Sequence, residues 1–103
     1  MKSKIRVLIK EPNKPCRMAT IPNRLKALQE IVGGYIEVVT ITTDTAIICN
    51  EEGLIRVLPY NCEVCGHSFF GTIFFVGVDG AEFDDIGEGA AWVLRKAVDG
   101  CDR

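Results

Sequence analysis

Cys62-Glu63-Val64-Cys65-Gly66-His67 puts two thiols and an imidazole within six residues. Such a Cys-x-x-Cys with a nearby histidine is a zinc-ligand pattern, because thiolate sulfur and imidazole nitrogen are the donors zinc favours. A structural zinc site wants four ligands, usually from a second similar pair. The other cysteines, Cys16, Cys49 and Cys101, are isolated, and His67 is the only histidine. A redox Cys-x-x-Cys would open a helix, whose dipole lowers the thiol pKa, whereas this one falls in a loop. The stretch is therefore read as a cysteine-containing loop packed on a sheet, with no metal and no cofactor. Zinc held by Cys62, Cys65 and His67 is the alternative.

Other reactive types are present without a matching arrangement. Ser68 follows His67, but adjacent side chains rarely face one another, and no nucleophile elbow is visible. Glu82, Asp84 and Asp85 could attract a divalent cation, yet their spacing lacks the calcium-loop pattern. Gly87-Glu88-Gly89 has neither the preceding strand nor the third glycine of a dinucleotide site. The expectation is a protein that is not an enzyme.

Charge is the next possible handle. Residues 1–30 carry eight Lys/Arg (Lys2, Lys4, Arg6, Lys10, Lys14, Arg17, Arg24, Lys26) against Glu11 and Glu30, a local charge of +6. The remainder carries four basic and twelve acidic side chains, a local charge of −8, and the net charge is −2. A basic and an acidic end can each steer a partner. Lys4, Arg6 and Lys10 share one face of a strand and could meet phosphates. That strand offers no aromatic for base stacking, so electrostatic attraction to nucleic acid is expected there without sequence readout.

The elements that must position these residues follow from periodicity. Lys4–Lys10 alternates as a strand with Ile5, Val7 and Ile9 on one face. Pro12, Asn13 and Pro15 turn the chain, and Arg17–Ile21 returns as a hairpin. Asn23 is the expected N-cap of a helix over 24–32, which lays Leu25, Leu28, Ile31 and Val32 on the sheet. Gly33 or Gly34 stops it, and a strand runs at once from Tyr35 to Ile41. Thr45–Cys49 and Leu54–Leu58 complete a three-stranded meander across the Asn50–Gly53 loop. Residues 61–68 read as irregular. Gly71–Val78, apolar on both faces, is placed centrally. Ala81–Gly87 reads as an acidic loop, and a second helix covers 88–98, capped by Asp99-Gly100. The fold class is α+β: one domain, 1–103, with an antiparallel sheet of about five or six strands and two short helices packed against it.

Composition agrees with a small globular domain. Its 103 residues are 48% hydrophobic and 25% charged, which suffices for a core without disulfides or metal. No secretory signal and no apolar run of spanning length is visible, so a cytoplasmic protein with reduced thiols and no membrane contact is expected.

Leu28–Glu37, Cys49-Asn50-Glu51-Glu52-Gly53 and Gly71–Gly77 together resemble a domain of unknown function. That domain occurs in short proteins of phages, plasmids and conjugative elements of Gram-positive bacteria. The blocks keep the family's order and spacing through most of residues 4–86. In size and type the chain is also similar to anti-CRISPR proteins that inhibit type II-A Cas9. The resemblance implies a non-enzymatic inhibitor in the bacterial cytoplasm, whose partner is Cas9 or its guide-RNA complex, with direct RNA contact a further option. On that reading Glu82, Asp84 and Asp85 dock on the protein's basic nucleic-acid channel and hinder guide-RNA loading, or Lys4, Arg6 and Lys10 compete for the RNA.

Overall fold

The central strand of the sheet is β7, Ile73–Asp79, and both hydrophobic clusters are built on its two faces. In a strand successive side chains alternate between faces. Phe74 and Val76 accordingly point to one cluster, Ile73 and Phe75 to the other. The computed structural model describes residues 2–99. The first strands are β1 (Lys4–Lys10) and β2 (Arg17–Pro22), followed by helix α1 (Leu25–Val32), β3 (Ile36–Thr42) and β4 (Thr45–Asn50). After β4 come β5 (Tyr60–Val64), β6 (His67–Phe70), β7, β8 (Glu82–Asp84) and helix α2 (Glu88–Asp99). The large sheet runs β2-β1-β7-β4-β3, with β8 pairing β7, and every pairing is antiparallel. β5 and β6 form a separate two-stranded sheet. The chain is thus the expected α+β fold, with a radius of gyration of 12.4 Å, close to the ~13 Å of a 100-residue domain.

α1 closes one face over Ile5, Val7, Ile9, Ile48, Phe74 and Val76, contributing Leu28 and Val32. α2 and the β5–β6 hairpin close the other through Leu94, Val98, Cys62, Val64 and Phe69. Both helices have the short length at which packing, not propensity, supplies stability.

Several expectations need correction. Arg24, not Asn23, occupies the N-cap position of α1 and makes no side-chain cap bond. Asn23 Nδ2 donates instead to the Lys2 carbonyl at 3.0 Å. Leu25 is 56% exposed, and Ala27 takes the buried position beside Leu28. Gly33 does end the helix, in the left-handed conformation.

Leu54–Leu58 is not a strand, so there is no meander through it. Arg56 N–H bonds the Glu52 carbonyl, Val57 N–H that of Leu54 and Leu58 N–H that of Gly53, which closes successive turns where a ladder was expected. Val57 sits at φ 56°, outside the range of any strand, and the second neighbour of β4 is β7. Residues 61–68 are not irregular either. They fold into most of the β5–β6 hairpin around Cys65-Gly66, both at positive φ (51° and 81°), as a two-residue primed turn requires. Within the supposed acidic loop, Glu82–Asp84 pairs with Gly77–Asp79. The expected cap at Gly100 lies outside the described residues.

Candidate functional site

β1 pairs with β7 only through Leu8–Lys10. Below that point the Asp85–Ile86 segment bonds the β1 backbone instead. Arg6 N–H donates to Asp85 Oδ1 at 2.8 Å, and the Arg6 carbonyl accepts Ile86 N–H at 2.9 Å. Two residues later α2 begins, and at its far end Asp99 Oδ1 accepts the Cys16 backbone N–H at 2.8 Å. The helix is thus pinned at both ends to the β1–β2 hairpin.

Between hairpin and helix lies a cleft of about 200 Å³ lined by Arg6, Met18, Ile86, Glu88, Ala91, Trp92 and Arg95. Trp92 is 64% exposed, and Lys96 Nζ stands 5.4 Å from its ring centroid, a cation–π distance. Arg6 and Arg95 thus line the cleft together with the indole, and Lys96 stands beside the ring, against the carboxylate of Glu88 in the lining and that of Asp85 next to Arg6. Sequence reasoning found Arg6 but missed Met18, Trp92 and Arg95. Its one available signal was Trp92 itself, a large aromatic at a helix position out of phase with Leu94 and Val98.

The other expected site residues are scattered. Lys4 is exposed but does not line the cleft. Lys10, expected on a phosphate-facing surface, is fully buried and donates from Nζ to the Glu11 carbonyl at 2.8 Å. The β5–β6 hairpin covers it, with Asn61 Nδ2 bonding the Lys10 carbonyl. Glu82 is exposed on β8. Asp84 and Asp85 are bound to the basic end of the chain: Lys2 Nζ lies 3.0 Å from Asp84 Oδ1 and 2.7 Å from Asp85 Oδ2. The basic and acidic ends, separate in sequence, meet here and partly cancel.

This cluster has a calculable pH behaviour. Hydrogen bonds from Lys2 hold both carboxyls below their ordinary 3.8, helped at Asp85 by the Arg6 N–H, and the bond to Asp85 foremost holds Lys2 above 10.5. Lowered carboxyl pKa values stabilise the fold above 3.8, and the contribution is lost as pH falls through the lowered values. A raised lysine pKa stabilises below 10.5, and its contribution is lost as pH rises through the raised value. The tether therefore works throughout the neutral range. Lys2→Met should lower Tm slightly at neutral pH and low salt, because exposed pairs are weak and screened. In thermal melts at successively lower pH, the difference between variant and parent should shrink as the lowered carboxyls take up protons. A difference that stays constant as pH falls through the acid range would contradict this account.

The two cysteines of the Cys-x-x-Cys do not share a site. Cys62 is buried in the core beside Phe69, and Cys65 is exposed in the hairpin turn. Among the described residues no group of three or more His, Cys, Asp or Glu side chains is placed to hold a metal. A second hollow, about 300 Å³, is lined by Glu37, Cys49, His67, Ser68 and neighbours. Burial, with Glu37 adding to it, pushes the Cys49 thiol up to about 11, and burial with Asp99 pushes Cys16 up to about 12. Both remain protonated at neutral pH, and Cys49 Sγ is directed to the Glu37 carbonyl at 3.7 Å.

Residues 5–97 match the domain of unknown function DUF3846. The chain belongs to that family. The match on this DUF3846 domain takes in every residue lining the cleft. No curated protein and no solved structure matches the chain. Among its described residues, no helix is long and apolar enough to cross a membrane.

Proposed function

We propose that this chain is a non-enzymatic binding protein of a mobile genetic element, one that disarms a host defence complex, with type II-A Cas9 and its guide RNA as the target. The mobile-element and Cas9 parts rest on the sequence resemblance. The observation that carries the binding part is the α2 cleft, where an exposed Trp92 is flanked by Arg6, Arg95 and Lys96 on a helix fixed at both ends. Exposed tryptophan and arginine are the side chains most enriched at binding hot spots, and a pre-ordered platform avoids part of the entropy cost of association.

The cleft favours a different contact from the acidic docking expected first. Asp84 and Asp85 are occupied by Lys2, so the surface most available for a charged partner is the basic, aromatic one. Such a surface engages the RNA component of the complex before it is loaded. The test is order of addition in a Cas9 cleavage assay. Added before guide RNA, the protein should reduce cleavage at least tenfold, and added after loading it should have little effect. Unaltered cleavage in both orders would refute the proposal.

A further inference from the structure

We infer that the α2 cleft is a subsite for one nucleotide of single-stranded RNA, with the base stacked on Trp92 and the flanking phosphates held by Arg6 and Arg95. The inference deepens the reading just given and rests on its assignment of the cleft as the contact surface.

Three observations select this ligand. The first is charge: Arg6 and Arg95 outnumber Glu88 in the lining, and Lys96 adds a third cation beside the Trp92 ring, so the occupant is anionic. Arginine offers planar, forked donors that match phosphate oxygens in pairs. The second is the apolar lining. Met18, Ile86, Ala91 and the indole face the same space as the cations, which an acidic peptide would leave unused and a flat heterocycle would cover. Base–aromatic stacking tolerates any base, since every base has a π-face. The third is size. About 200 Å³ is below the roughly 300–1,000 Å³ of pockets that enclose whole small molecules. The occupant therefore contributes one group to the cleft while the rest of it runs outside, as in a polymer. The geometry of approach supports this, because Trp92 and Arg95 line the cleft yet remain exposed, so a strand of RNA can pass along its mouth without entering the fold.

Trp92 is the chain's single tryptophan, so its fluorescence reports on this site alone. A mixed-sequence RNA decamer titrated into the intact protein should quench the emission saturably. Its affinity should fall linearly on a log–log plot against salt. Arg6→Gln with Arg95→Gln should reduce that salt slope by about 1.4, from ~0.7 per single-strand phosphate contact. The Arg6 substitution leaves its backbone bonds to Asp85 and Ile86 in place, and far-UV circular dichroism checks that the double variant is folded. Trp92→Ala, followed by filter binding, should weaken the complex about tenfold or more.

No quenching by RNA, or a salt slope unchanged in the folded double variant, overturns the inference. Quenching by a polyglutamate peptide and not by RNA overturns the nucleotide assignment while leaving a protein partner in place. A response to a DNA decamer alone overturns the assignment to RNA. RNA quenching with unaltered Cas9 cleavage would remove the defence reading and leave the RNA subsite standing.

Discussion

Gly77→Ala should be among the most damaging single-methyl additions in the molecule. A Cβ at Gly77 would lie 2.1 Å from the Asp85 carbonyl oxygen and 2.9 Å from its carbonyl carbon. Both are backbone atoms, and neither can swing away as a side chain end would. The segment cannot retreat freely, because Asp85 bonds the Arg6 N–H and Lys2 while Ile86 N–H bonds the Arg6 carbonyl. Overpacking usually costs about 1–3 kcal/mol, and the fixed surroundings put this case at about 3. At roughly 4–8 °C per kcal/mol for a domain of this size, Tm should fall by roughly 12–24 °C. The displaced Asp85–Ile86 segment also leads into α2, so Trp92 emission should shift in whatever fraction remains folded. Gly89→Ala is the matched control. Nothing lies within 4 Å of its added Cβ, and alanine in a helix gains up to about 1 kcal/mol over glycine. Thermal melts of the two variants should move in opposite directions. Equal, small shifts would mean that β7 and the 84–85 segment do not touch as described.

Phe75→Ala is the second large expectation. Phe75 is fully buried, and its cluster joins Leu8 and Ile47 of the sheet to Cys62 and Phe69 of the hairpin and Leu94 of α2. Truncation removes the ring that the second layer rests on. The cost should be about 3–5 kcal/mol, a large share of the ~5–15 kcal/mol available to a small domain. Phe74→Ala, one residue away, should cost about the same by a separate route, since Phe74 packs with Ile5, Ile9 and Leu28 under α1. Urea unfolding measures both. Below its transition, Phe75→Ala should alter Trp92 emission and Phe74→Ala should not, because only the former supports α2. A loss under about 2 kcal/mol for Phe75→Ala, well short of the usual range, would contradict the packing.

The elements legible in the sequence were those whose local pattern and global role agree. Ile5, Val7 and Ile9 alternate as one buried face of a strand must, and the run Gly71–Val78, apolar on both faces, by itself marks a central strand. The hairpin at Cys65-Gly66 was obscured because cysteine stands where asparagine or aspartate usually signals a primed turn. Leu54–Leu58 has the β-branched composition of a strand, and only the turn bonds and Val57's positive φ reveal otherwise. Lys10 alternates correctly with Arg6, but alternation names a face and not what lies over it. The cleft was out of reach for the same reason. Arg6 and Arg95 meet across most of the chain, and counting charge by segment could not anticipate that Lys2 would sit on Asp84 and Asp85.

The central position of β7 also bears on how the chain reaches this state. β1 and β4 lie on opposite sides of β7, so until residues 73–79 are synthesised each has one long unsatisfied edge. The β1–β2 and β3–β4 hairpins are local and can form early, whereas joining them waits for a strand distant from both. Non-local strand pairing of this kind slows folding and exposes sticky edges meanwhile. A nascent or truncated chain ending before Ile73 should therefore aggregate through β1 and β4, and the complete chain should acquire its two layers in one cooperative step when β7 inserts between them.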